Sequence, residues 1–100
     1  MSPGVPIHVA VVVIELDLPA CRTLKQKRST LTSLLIAVQR EFACSAAELD
    51  RLDDAGRSLI GCALVSNDGR HAERVLQKIP RWIEGHRPDV EVIDFEIDRR

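Results

Sequence analysis

Apolar residues fall along the chain in blocks with two different periods. Residues 7–16 are apolar in both alternating sets, Val9, Val11 and Val13 on one side and Ala10, Val12 and Ile14 on the other. A strand of that kind is covered on both faces or lies centrally in a sheet, and Pro19 ends it. Over residues 23–42 the period becomes helical. Leu24, Leu31, Leu34, Leu35, Val38 and Phe42 form one apolar stripe. Thr23 and Gln26 predict a capping box at the start: the hydroxyl accepts the Gln26 N–H, and the Gln26 side chain returns to the Thr23 N–H. Residues 57–66, with Leu59, Ile60, Cys62, Leu64 and Val65, read as a second buried strand. Asn67 and Asp68 are cap candidates for a second helix, whose stripe is Ala72, Val75, Leu76, Ile79 and Ile83. Pro80 lies inside that helix, lacks a donor and clashes with the Leu76 carbonyl, so a kink or break is expected near Ile79. Gly85 suits the position just past the helix end, and Pro88 blocks continuation. Residues 90–97 form a last strand, with Ile93, Phe95 and Ile97 on one side and Asp94, Glu96 and Asp98 on the other. By phase, Phe42 and Phe95 both belong to the core.

Residues 43–56 are ambiguous. Ser45 and Glu48 resemble a second capping box, and Leu49 and Leu52 would continue a short helix toward Gly56. Topology favours a strand at 43–49 instead. The order would then be βαββαβ, a ferredoxin-like α+β sandwich with an antiparallel sheet and two helices on one face. Residues 1–6, with two Pro and one Gly, read as a flexible tail, and residues 7–98 as a single domain.

Composition narrows the class. At 100 residues and 45% hydrophobic the chain carries one core, and disorder is excluded. The longest purely apolar run, residues 9–14, is far short of the ~20 residues of a membrane helix. Cys21, Cys44 and Cys62 are an odd number with no metal-ligand spacing, which fits a reducing compartment and argues against a disulfide framework or a zinc site. The first residues lack a basic region and a cleavage site. A cytoplasmic protein is expected, with no metal, no cofactor and no membrane partner.

Net charge is −1, from 14 Lys and Arg against 15 Asp and Glu, so any affinity for polyanions has to be local. Two local clusters stand out. Arg22, Lys25, Lys27 and Arg28 crowd the start of the first helix with no acid between them. That is the wrong end of the macrodipole for cations, at roughly 0.3–1 kcal/mol each. An anion or RNA-phosphate site accounts for the arrangement, and so does a merely solvated basic turn. Arg70, Arg74, Lys78 and Arg81 make a secondary basic face on the second helix, while residues 41–54 and 89–98 are acidic. Against RNA stands the aromatic count, Phe42, Phe95 and Trp82 only, because a base-reading sheet needs exposed rings. Trp82 lies off the apolar stripe and is either a partner anchor or a cap on the core edge. His8, His71 and His86 pair with no Cys or Ser in a nucleophile motif, no Gly-rich phosphate loop exists, and Asp53 and Asp54 read as solvated acids. No catalytic residue is assigned, and no enzyme is expected.

Glu15-Leu16-Asp17-Leu18-Pro19 followed by Thr23-Leu24-Lys25-Gln26-Lys27-Arg28 resembles the opening of the bacterial YlxP-like family. Ala47-Glu48 resembles that family's second strand, Ala63-Leu64-Val65-Ser66-Asn67-Asp68 its strand-to-helix turn, and residues 90–97 its closing strand. The resemblance implies a ferredoxin-like fold, with residues 43–49 as a strand. It also implies a small cytoplasmic protein of unestablished biochemistry, whose genes often neighbour those for translation and ribosome maturation. The resulting expectation is a non-catalytic accessory domain, associated with RNA or the ribosome through the basic helix start. The alternative is a protein-interaction module that docks, or forms a homodimer, through the open sheet face.

Overall fold

The computed structural model describes residues 4–100. Six elements follow one another: β1 (His8–Asp17), α1 (Leu24–Phe42), β2 (Ser45–Asp50), β3 (Arg57–Ser66), α2 (Gly69–His86) and β4 (Glu91–Arg99). The sheet order is β2-β3-β1-β4, with every neighbouring pair antiparallel. This is the expected βαββαβ order, and the ambiguous segment is a strand. The tail assigned to residues 1–6 falls partly outside the described residues.

β1 alternates strictly. Ala10, Val12, Ile14 and Leu16 are fully buried and join Leu31, Leu34, Val38, Leu76, Ile79 and Ile83 of the helices in one core. Both apolar helical stripes therefore meet the same sheet face. Val9, Val11 and Val13 point the other way and are half-buried. They lie opposite Val65, Ala63 and Gly61 of β3, on a face that no helix covers.

α1 begins as expected: Thr23 Oγ1 accepts the Gln26 N–H at 3.1 Å, and Gln26 Oε1 accepts the Thr23 and Arg22 N–H groups at 3.2 and 2.7 Å. Asp68 caps α2, its carboxylate accepting the Arg70 and His71 N–H groups at 3.0 and 3.3 Å. These bonds hold the Asp68 carboxyl below its ordinary value, the His71 N–H contributing most.

Three expectations are corrected. Pro80 does not break α2, which runs unbroken to His86 with Pro80 itself buried. Gly85 is not past the helix end but inside the last turn, and Arg87 is the C-cap, donating its N–H to the Ile83 carbonyl at 2.8 Å. Phe95 is not in the core but 46% exposed, and Ile93 is 48% exposed. A register shift explains Ile93. Glu15 pairs with Asp94 but Leu16 pairs with Val92, so Ile93 is an extra, bulged residue. The bulge moves Val92 onto the side of Leu16. Phe95 pairs with Ile14 and faces the same side, yet stays exposed on an edge strand.

Burial pushes the Cys62 thiol up to about 12, with Cys44 adding to the shift. The Cys44 thiol is raised for the same chief reason, burial. Both stay protonated at neutral pH and are poor nucleophiles. The unfolded chain releases these protons near the ordinary thiol value of about 8.5. The stability from burying a neutral thiol is therefore complete below that value. It declines as pH rises toward the folded value, by up to about 1.4 kcal/mol per pH unit. Thermal melts from neutral to alkaline pH check this: Cys62→Ala should flatten the alkaline decline, and an equally steep decline in the variant would place its cause elsewhere.

Candidate nucleic-acid interface

The four cations at the start of α1 do not act together. Arg22, Lys25 and Arg28 are exposed, and among the described residues none of them makes an ion pair. Lys27 departs from the expectation of a phosphate ligand, because it is only 2% exposed. Its ammonium donates to the carbonyl oxygens of Arg51 and, at 2.7 Å, Asp54, and it pairs with Glu48 Oε2 at 2.8 Å. Those three acceptors use all three of its protons. Ser58, fully buried, donates its hydroxyl to the same Glu48 oxygen at 2.7 Å. One of the four cations expected to bind phosphate is thus a cross-link between α1, β2 and the loop after β2. A cleft of about 300 Å³ lies beside it, lined by Leu24, Arg28, Leu31, Leu35 and Leu52.

The secondary basic face is intact. Arg70, Arg74, Lys78 and Arg81 are all exposed. Their spacing of four, four and three residues places them on one side of α2, in a row about 16 Å long. None of the four makes an ion pair among the described residues. Three of them, Arg74, Lys78 and Arg81, edge a groove of about 700 Å³ where the last turn of α1 meets the C-terminal half of α2. Phe42, Trp82 and His86 also line it, and Glu41 is the acid at its rim.

The groove wall is aromatic. Trp82 meets Phe42 edge to face, with ring centroids 5.7 Å apart and planes at 85°. Trp82 also stacks on His86 at 4.5 Å and 17°. His86 Nδ1 lies 2.9 Å from the Trp82 carbonyl oxygen. A carbonyl can only accept, so Nδ1 carries the hydrogen and the ring is held parallel to the indole. Just beyond, Arg87 fastens α2 to α1. It binds Asp89 through Nε and a second nitrogen at 2.9 and 2.8 Å, and it donates to Ser33 Oγ at 3.3 Å and the Thr30 carbonyl at 3.4 Å. The hydrogen bonds between Arg87 and Asp89 hold the Asp89 carboxyl below its ordinary value and raise the guanidinium.

The two basic patches sit at opposite ends of α1, since Lys25 and Phe42 are about 25 Å apart along the helix. Sequence reasoning named the row on α2 and singled out Trp82. It missed His86 as Trp82's partner, although the i, i+4 spacing was there to read. It also missed Glu48 and Ser58, whose contacts depend on strand pairing.

An antiparallel four-stranded sheet with two helices packed on one face makes this an α+β domain of the ferredoxin-like kind. Residues 9–97 match the model of a family described as "Protein of unknown function (DUF503)", and the chain belongs to that family. It is also 33% identical over 69 residues to "Uncharacterized protein YlxP" of Bacillus subtilis (strain 168), covering 69% of this chain and 74% of that protein. No helix among the described residues is long and apolar enough to cross a membrane.

Proposed function

We propose that this domain is a non-catalytic accessory protein that binds RNA, free or within ribosomal particles, along the basic side of α2. The observation that carries this reading is the row Arg70, Arg74, Lys78 and Arg81, exposed and without ion pairs among the described residues. The two acids of α2 do not neutralise the row: Glu73 pairs with Arg99, and Glu84 makes no ion pair among the described residues. An unneutralised row raises the local potential in a protein of net charge −1 and gathers phosphates. Arg22, Lys25 and Arg28 supply a second, smaller patch for the same polyanion. The three free thiols support a reducing, cytoplasmic setting.

Charge reversal tests the reading. Arg74→Glu, Lys78→Glu and Arg81→Glu together should weaken binding to single-stranded RNA and lower the log–log salt slope by roughly 0.7 per lost phosphate contact. Reversing Lys25 and Arg28 should do less. Co-sedimentation with ribosomal particles, with and without nuclease, gives the cellular counterpart. An α2 triple variant with unchanged affinity and slope would end the proposal.

A second reading, self-association through the sheet, is favoured by the uncovered apolar face. Val65 is 69% and Leu49 52% exposed, beside the half-buried Val9, Val11 and Val13. Sedimentation equilibrium should then show a dimer that Val11→Asp dissociates. A monomer throughout a wide concentration range removes this reading.

A further inference from the structure

We propose that the groove between α1 and α2 holds one unpaired base of single-stranded RNA, stacked on His86 and flanked by the phosphates it brings to Arg74, Lys78 and Arg81. This rests on the reading of α2 as an RNA-binding face, and adds what that face selects. The row of cations alone would bind any polyanion, duplex included. The rings beside it impose a different demand.

Trp82 is already packed, its edge contact made with Phe42 and its stacking contact with His86. His86 is exposed and lines the groove. The side of its ring turned away from Trp82 is therefore the open end of an aromatic stack. A third planar ring completes it, as bases do on aromatic and histidine side chains in single-strand-binding proteins. His86 is pre-oriented, because its Nδ1–H is held by the Trp82 carbonyl. The other ring nitrogen, Nε2, is left to face a ligand's polar edge.

Size and charge agree with that occupant. The groove, about 700 Å³, lies within the 300–1,000 Å³ range of small-ligand sites. An apolar side chain of a protein partner would fill the groove but leave three cations at its rim unanswered. A nucleotide answers both, base to ring and phosphate to cation. Gly85 adds an independent sign. It lies in the last turn of α2, where glycine weakens a helix relative to alanine. A Cβ added there would meet nothing within 4 Å, so the fold does not require the glycine. Its place is the groove wall, where a side chain would take up room meant for a ligand.

The chain has one tryptophan, so its fluorescence reports on this groove alone. Titration with a short single-stranded oligoadenylate should quench Trp82 saturably, and the same length of duplex RNA should bind without that quenching. His86→Ala should weaken single-strand binding by about 5- to 150-fold, the range for one lost base stack, with the salt slope unchanged. Gly85→Leu should abolish the quenching while the melting temperature stays the same or rises, which separates a blocked groove from a damaged fold. Single-strand binding of normal salt dependence, with no quenching and no effect of His86→Ala, would overturn the base site and leave the basic face standing. Failure of either RNA to bind the unaltered protein would overturn both.

Discussion

Lys27→Glu is expected to destabilise the protein by about 3–5 kcal/mol, the cost of breaking a buried ion pair from one side. The substitution removes the donor that satisfies Glu48 and the Arg51 and Asp54 carbonyls. It also sets a second carboxylate beside Glu48 with no cation to hold it. Lys25→Glu, two residues away and exposed, should be neutral or stabilising by a few tenths of a kcal/mol, because an acid complements the positive end of α1. Replacing Lys27 and Glu48 together by apolar residues of similar volume should recover much of the loss, since the pair then leaves no charge behind. Denaturant unfolding at constant m-value is the measurement. A Lys27→Glu protein as stable as Lys25→Glu would mean that the ammonium is solvated and the cross-link absent.

The second large effect separates the two phenylalanines. Phe42 packs against the core and meets Trp82 edge to face. Its truncation to Ala should cost about 3 kcal/mol, near the lower end of buried aromatic deletions because the ring is half-buried. Phe95 stands at the sheet edge, outside the buried core. Phe95→Ala should stay within about 1 kcal/mol, as exposed-strand substitutions do. Equal and large losses would put Phe95 in the core.

The contrast shows what a linear sequence carries. β1 and α1 were legible because their signals are local and repeated: a ten-residue alternation and a stripe with its own capping box. β4 was legible as a strand, with Phe95 and Ile97 on the side of Ile14 and Val12 as expected and only Ile93 out of phase. One extra residue at Ile93 puts Val92, not Ile93, on the side of Leu16, and no residue in 90–97 announces a bulge. β2 is a strand against its own preferences. Ser45, Ala46, Ala47 and Glu48 suit a helix turn, and pairing with β3 overrides them.

The candidate site divided along the same line. The row on α2 follows from helical spacing and needed no partner to be seen. Lys27 looked identical to Lys25 and Arg28 because its partners lie 24 and 27 residues further along the chain. Charge counting treats a buried ammonium and a solvated one alike, and burial alone distinguishes a cross-link from a ligand-binding cation.

The bulge in β4 also bears on how this sheet avoids growing. β4 is a sheet edge, and an edge strand offers its free backbone groups to any passing strand. An incoming strand would have to match the misaligned pair at Ile93 and Asp94, so a regular ladder stops there. It would also meet Glu91, Asp94, Glu96 and Asp98, all exposed along the same strand, and a second copy of β4 would bring the same charges to face them. Edge-to-edge fibre growth is therefore blocked at β4 by backbone geometry and by repulsion together. The exposed Phe95 can be carried there safely, in the company of acids that keep neighbouring strands away.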